Sequence, residues 1–281
     1  MFPICATCGT QYGVPSAPLD CRICRDERQY VGWSGQHWTT LAELASDHTV
    51  RIEDDCGLPA LGISPSFAID QRALLLSTQQ HRIMWECIAL VTPEAVTAIQ
   101  ARGGVDVIAI SHPHFYSAMV EWSEALGGVP ILVHEADSQW ICRDSPHIER
   151  WHGDAYQICP GVSLIRCGGH FPGSTALHWH DAMRPGGALF PGDALQVVFD
   201  RRHVTFMYSY PNYIPLHPDY VRILHQRLAP YEFADVFGFT WGRNILGDGR
   251  AAVDRSFERY LRAIGAAENN SVFSACGRPT E

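Results

Sequence analysis

Two runs of short apolar strands, helices between and after them, and metal-ligand side chains at the ends of several strands predict an α/β fold for this 281-residue chain. The expected arrangement is two packed sheets with helices outside. A four-cysteine unit precedes them. Residues 1 to 30 are too few to bury a core of their own, the situation in which a structural metal supplies the folding energy. Cys5, Cys8, Cys21 and Cys24 form two Cys-x-x-Cys turns with twelve residues between the pairs. Two such turns facing each other make a tetrahedral thiolate site. Gly9 after the second thiolate lets the backbone turn tightly around an ion. Thiolate geometry accepts zinc or iron. The charges of Asp20, Arg22, Arg25, Asp26, Glu27 and Arg28 cancel, which points to a structural or docking role and away from a nucleic-acid-binding finger.

Residues 31 to 281 carry the larger unit. Strands are expected at Thr49–Ile52, Leu58–Ile63, Ala73–Ser77 and Arg82–Leu90, each a short apolar run. A helix follows at Pro93–Ala101, with Thr92 as its cap and Pro93 at the first helical position. Then come a β-branched strand at Val105–Ile110, a helix at Phe115–Leu126, a strand at 130–133 and a short helix at Ala136–Cys142. The second run of strands covers 162–167, 175–179, 187–190 and 195–199. Helices at 216–229 and 250–264 bracket a strand at Phe233–Phe237.

The candidate site residues sit at strand ends. Ser111-His112-Pro113-His114 follows a strand, and an i, i+2 histidine pair can turn both imidazoles toward one ion. Gly169-His170-Phe171-Pro172-Gly173 and Phe190-Pro191-Gly192-Asp193 each place one further ligand in a turn after an apolar run. His178 and His180 repeat the spacing away from any turn signal and are expected to be structural. His134 is expected to cap the helix after it. Trp33, Trp38, Trp85, Trp122 and Trp151 read as core or contact aromatics, and Cys56, Cys87, Cys142, Cys159, Cys167 and Cys276 as buried small hydrophobes.

The ordered triple of His112-x-His114, His170 and Asp193 resembles the metallo-β-lactamase fold superfamily over roughly residues 48 to 265. The cysteine unit resembles the small rubredoxin-like ribbons. The first resemblance implies an αββα sandwich with a metal site at one edge and a hydrolytic activity. The superfamily's first motif continues with Asp and His as ligands of a second metal, but this chain has Tyr116 and Ser117 there. Near residues 239–243, where a further histidine completes the second site, it has none. Both departures fall on one site, so the expectation is a single catalytic zinc held by His112, His114 and His170, presenting hydroxide to a small-molecule ester, thioester, lactone or lactam. Asp193 is expected as ligand or base, and Tyr116 as an oxyanion donor or a filler of the emptied site. Loops after the Asp193 strand cover the metal in this fold, which makes Arg201, Arg202, Tyr208, Tyr210, Tyr213 and Trp241 candidates for the substrate wall. A mononuclear iron dioxygenase of the persulfide dioxygenase type, using His112, His170 and Asp193, is the alternative. A non-catalytic metal-stabilised binding scaffold is a third.

Composition narrows the rest. All 21 basic residues are arginine, so a Walker phosphate loop, a Schiff base and a pyridoxal site are excluded. A net charge of −9 without a basic run argues against nucleic acid. No uncharged apolar stretch of about 18 residues and no secretory signal pattern is visible, so the expectation is a cytoplasmic protein with a small-molecule substrate and no membrane.

Overall fold

Alternation of apolar side chains, rather than their mere abundance, sorts this chain into layers. The computed structural model describes residues 2–267. In chain order it has β1 (Ile4–Cys5), β2 (Trp38–Thr39), α1 (Leu41–Asp47), β3 (Thr49–Asp55), β4 (Leu58–Ser64), β5 (Ala73–Ser77) and β6 (Arg82–Trp85). These are followed by α2 (Pro93–Gln100), β7 (Val107–Ala109), α3 (Met119–Ala125), β8 (Ile131–His134) and β9 (Ile148–Trp151). The second half has β10 (Ala155–Cys159), β11 (Val162–Arg166), β12 (Thr175–Trp179), β13 (Ala188–Phe190), β14 (Gln196–Val197) and β15 (Val204–Thr205). It closes with β16 (Met207–Ser209), β17 (Ile214–Pro215), α4 (Pro218–Leu228), β18 (Asp235–Phe237), β19 (Asn244–Ile245) and α5 (Gly249–Ala263).

One sheet runs β3 to β9 in sequence order, antiparallel as far as β6 and parallel from β6 to β9. The other has the order β10-β11-β12-β13-β18-β19, with β13 and β18 parallel. Leu74, Leu76, Ile83, Trp85, Val107 and Ala109 turn one way and meet Leu164, Leu177, Phe190 and Phe237 of the second sheet. Their neighbours Ala73, Leu75, Met84 and Ile108 turn the other way, onto a layer that includes Leu44, Ile99 and Trp122 of α1, α2 and α3. The outer face of the second sheet is covered by Val221 and Leu224 of α4 and Val253 and Phe257 of α5. The result is the expected αββα sandwich. The cysteine unit has a small cluster of its own around Ile23, and its strand β1 pairs with β2.

Several elements depart from the sequence-based expectation. The strand expected to reach Leu90 stops at Trp85, because Glu86 takes a left-handed backbone (φ 69°). The strand expected at 195–199 shrinks to β14, which pairs only with β15 in a separate ribbon. The short helix at 136–142 is a 3-10 turn, Glu135–Trp140. Strands β9 and β10 were not expected; their exposed Glu149, Arg150, Tyr156 and Gln157 hide the apolar pattern. Trp33 is fully exposed and Cys56 sits exposed at a turn with φ 56°, so neither belongs to a core. Trp85, Trp122 and Trp151 are buried. Cys276 lies outside the described residues. Among the described residues no helix is long and apolar enough to cross a membrane.

A buried ion pair clasps the two sheets at one end. Arg72 and Asp55 are paired, Asp55 also accepts from Asn244 Nδ2 (2.7 Å) and the Gly242 amide (3.3 Å), and Arg72 donates to the Gly238 carbonyl. Asp55→Ala would strand a guanidinium that is only 2% exposed. Breaking one side of such a pair costs about 3 to 5 kcal/mol. Urea unfolding should show a loss of that order, and a loss below about 1 kcal/mol would contradict the clasp.

Candidate metal centre

Three turns that carry four candidate ligands meet where strands of both sheets end. His112 and His114 follow β7, His170 lies in the loop joining β11 to β12, and Asp193 follows β13. Pro113 begins a 3-10 turn, Pro113–Phe115, that carries His114 back beside His112. Their ring centroids lie 5.0 Å apart, and that of His170 lies 4.9 Å from His112 and 5.1 Å from His114. Asp193 Oδ2 stands 3.4 Å from His112 Nε2, 4.0 Å from His114 Nδ1 and 3.7 Å from His170 Nε2. All four side chains are buried, and one ligand atom from each lies within 4.8 Å of the others.

The surroundings fix which nitrogen faces inward. His170 Nδ1 donates to the Tyr208 carbonyl at 2.8 Å, which leaves Nε2 as the lone-pair nitrogen. His112 Nδ1 pairs with Ser111 Oγ at 2.7 Å, and its Nε2 has no hydrogen-bond partner. Burial and the neighbouring His112 push His114 down to about 4, and burial with His112 and His114 pushes His170 well down as well, so these two imidazoles are neutral near pH 7. Burial would raise the Asp193 carboxyl, but the field of His112 and the close approach of the His112 and His114 ring nitrogens hold it well below its ordinary range. Buried nitrogen lone pairs converging on a carboxylate, with His112 Nε2 and Asp193 Oδ1 unpartnered, suit a divalent metal ion.

The second cluster is equally compact. Cys5 and Cys24 sulfurs are 3.6 Å apart, as are those of Cys8 and Cys21, and all four are buried. Cys5 accepts from Gln36 Nε2 at 3.2 Å and Cys21 from the Tyr12 hydroxyl at 3.4 Å. Hydrogen bonds from Cys21 and Cys24 pull the Cys5 thiol far down, while burial pushes Cys8 up and hydrogen bonding with Cys21 pushes Cys24 up. Gly9 takes φ 79°, and its amide bonds the Cys5 carbonyl at 2.8 Å, closing the first turn. This donor set fits a thiolate-binding metal.

Of the residues expected to wall the site, one does. A cavity of about 190 Å³ above the cluster is lined by Gln29, Tyr30, Ile69, Phe115, Tyr210, Pro211 and Phe239, with His114, His170 and Asp193 at its floor. Tyr210 donates its hydroxyl to the Asp193 carbonyl at 3.2 Å. Tyr208 contributes its carbonyl to His170 but turns its ring to a separate cavity. Arg201 and Arg202 are exposed beside the β14–β15 ribbon, where the Arg202 carbonyl receives Arg255 of α5. Tyr213 is 85% exposed at the β16–β17 turn, and Trp241 lies against Arg51 at 4.1 Å. None of these four lines the cavity. Tyr116 lines a crevice with Thr10, Gln11 and Cys142 instead, so the oxyanion role expected for it has no geometric support. His134 caps its turn through the Ala136 amide, and His178 is engaged by the Glu232 carbonyl at 2.7 Å, so both have structural partners.

The sequence reading missed Glu86, Ser111 and the pair Gln29 and Tyr30. Glu86 is 2% exposed and accepts from the Ser111 amide at 3.1 Å. A single carboxylate inside the apolar run 82–90 was the available signal.

Fold and centre together define the class: the chain has the metallo-β-lactamase fold, with a buried three-histidine, one-aspartate cluster at the strand ends. It resembles the crystal structures of VMB-1 (TM-score 0.57, 11% identity, 76% of this chain and 98% of that one) and DIM-1 metallo-β-lactamase (0.55, 14%, 74% and 95%). It is also similar to the metallo-β-lactamase FIM-1 from Pseudomonas aeruginosa in its mono-zinc form (0.52, 11%, 76% and 96%). No family model matches the chain. Within that fold class it belongs to the family of the uncharacterized protein YmaE of Bacillus subtilis (strain 168), with 37% identity over 269 residues covering 94% of this chain and 97% of the relative.

Burial pushes the Glu86 carboxyl up to about 8, against about 4.3 for an unperturbed glutamate. Between those values the folded state binds a proton that the unfolded state lacks. The stability this contributes is complete below about pH 4.3 and is lost as pH rises toward 8. Metal-free Glu86→Gln should therefore show a flatter decline in unfolding free energy from about pH 5 to 8, by up to ~1.4 kcal/mol per pH unit. Parallel slopes in chemical denaturation would show that Glu86 is ionised in the folded state.

Proposed function

We propose that this chain is a metal-dependent hydrolase working with one zinc ion at His112, His114, His170 and Asp193, on a small-molecule ester, thioester, lactone or lactam. The observation that carries the reading is the convergence of three imidazole nitrogens and one carboxylate oxygen, all buried, on the floor of a cavity. Zinc bound there would supply Lewis acidity and a water whose pKa falls to about 7. The third imidazole favours hydrolysis over the dioxygenase alternative, whose triad needs only two histidines and a carboxylate.

The chain's own groups do the rest. Ser111 and the Tyr208 carbonyl orient His112 and His170. Asp193 holds one oxygen among the imidazoles, and Oδ1, which nothing else engages, is the group to take a proton from a water at the floor. Phe115, Tyr210 and Phe239 keep bulk water from the floor and offer an apolar seat to the substrate. Phe239 belongs to the segment where the superfamily usually has a second-site histidine and this chain has none, and its ring packs against Phe115 and Tyr210 at 6.3 and 6.2 Å. The cysteine cluster holds a separate structural ion, so a loaded chain carries two.

On a panel of esters, thioesters and lactones, turnover should rise with pH through a single apparent pKa and fall roughly 1000-fold or more in His114→Ala. Loss of a ligand should exceed the ~10 to 100-fold typical of outer-shell partners. Full turnover by His114→Ala would remove the assignment. Anomalous scattering at the zinc edge should give one peak at the histidine cluster and one at the cysteines. A second strong peak about 3.5 to 4 Å from the first, as in two-metal enzymes, would refute the one-metal reading.

A further inference from the structure

We infer that the four-cysteine unit is a working part of the reacting centre: the segment just beyond its second knuckle forms one wall of the substrate cavity, and occupancy of the cysteine cluster holds that wall in place. The inference rests on the reading of the histidine cluster as the reacting centre, and it concerns how substrate is seated there.

The wall is Gln29 and Tyr30, which stand opposite Phe115 and Phe239 around the floor formed by His114, His170 and Asp193. Only a short, hydrogen-bonded stretch separates them from the thiolates. The Arg25 amide bonds the Cys21 carbonyl, the Asp26 amide the Ile23 carbonyl and the Gln29 amide the Asp26 carbonyl, at 3.0, 3.3 and 3.0 Å. A change at Cys21 or Cys24 is therefore transmitted through successive turns and has no flexible linker in which to dissipate.

Arg28 locks the segment to the ligand loop. Its guanidinium is paired with Asp26, lies 3.9 Å over the Phe171 ring and donates to the His170 carbonyl at 3.2 Å. The main chain is held from the other side. Asn212 Nδ2 donates to the Glu27 and Gln29 carbonyls at 2.9 and 3.0 Å, Ser209 Oγ to the Arg28 carbonyl at 3.2 Å, and the Tyr208 hydroxyl to Glu27 Oε1 at 2.6 Å. Tyr208 is also the residue whose carbonyl orients His170. The first knuckle has its own tie. Gln71, 3% exposed, donates to both the Cys8 carbonyl (2.6 Å) and the His114 carbonyl (3.1 Å). Both knuckles are thus bonded to loops that carry ligands of the other centre.

An autonomous structural ribbon would contact the sandwich through side chains remote from its ligands. Here, beside contacts with Ser117, Glu121 and Cys142, the unit also bonds His114, His170 and Tyr208. The lining is mostly apolar, Tyr30 included, so the wall contacts the apolar part of a small carbonyl substrate while the floor takes the polar part.

Hydrogen exchange read by mass spectrometry on the full chain tests this without any substrate. Cys21→Ser, shown by metal analysis to have lost one equivalent, should speed exchange of amides in 26–30 and 207–212 at least tenfold while β5 and β6 keep the wild-type rate. Wild-type exchange in those two segments would overturn the proposal. Should Cys21→Ser fail to fold, Arg28→Ala and Gln71→Leu leave all four thiols in place. Arg28→Ala should loosen 26–30 and 168–171 and Gln71→Leu should loosen 114–117, each at least fivefold; no change in either would overturn it equally. With 4-nitrophenyl acetate, Tyr30→Ala should raise KM more than it lowers kcat, and a pure kcat defect would contradict a wall. If the wild type hydrolyses no ester, only the ester among the proposed substrates is removed, and the exchange data still decide whether the cysteine unit holds the cavity.

Discussion

Ser111 is the residue on which the two sheets meet at the candidate metal centre. Its amide donates to Glu86 at the end of β6, its hydroxyl engages His112, and its carbonyl receives the Thr175 amide at the start of β12 at 2.9 Å. The first strand end belongs to one sheet and the last to the other. Gly192, at φ 52°, packs its bare Cα against Ser111, where a Cβ would overlap the hydroxyl. That close approach sets the position of Asp193. One backbone residue thereby fixes two ligands and the spacing of the layers around them, which is how short irregular turns hold a site that burial alone would leave loose.

The layers were legible because their periodicity is simple. Leu74 and Leu76 alternate with Ala73 and Leu75, and the short apolar runs of β7, β8 and β13 are bounded by Gly or Pro signals. The strands that escaped notice, β9 and β10, put Glu149, Arg150, Tyr156 and Gln157 toward solvent. The overlong strand at 82–90 has a related cause. A left-handed glutamate at 86 is stabilised by an amide 25 residues away, and no local propensity encodes that bond.

The residues of the histidine cluster were legible for a different reason. His112, His114, His170 and Asp193 each occupy a turn flanked by Pro or Gly after an apolar strand, so chemistry and punctuation agree at each position. The cavity wall has no such agreement. Arg201, Arg202 and Tyr213 carry suitable chemistry, but the β14–β15 and β16–β17 ribbons direct them to solvent. Gln29 and Tyr30 carry no signal at all. They reach the cavity because the cysteine unit folds across the His170 loop, a contact between residues more than a hundred positions apart.

Charge balance explains why so many ionisable groups can share so little solvent. Burial keeps His114 and His170 neutral, the Asp193 carboxyl is held ionised by its imidazole neighbours, and Glu86, with its carboxyl pushed up to about 8, is mostly protonated near neutral pH. A second ionised carboxylate beside Asp193 would be opposed by like-charge repulsion at low dielectric. A neutral Glu86 avoids that repulsion while one of its oxygens still receives the Ser111 amide, so the group that braces the cluster adds no second charge to it.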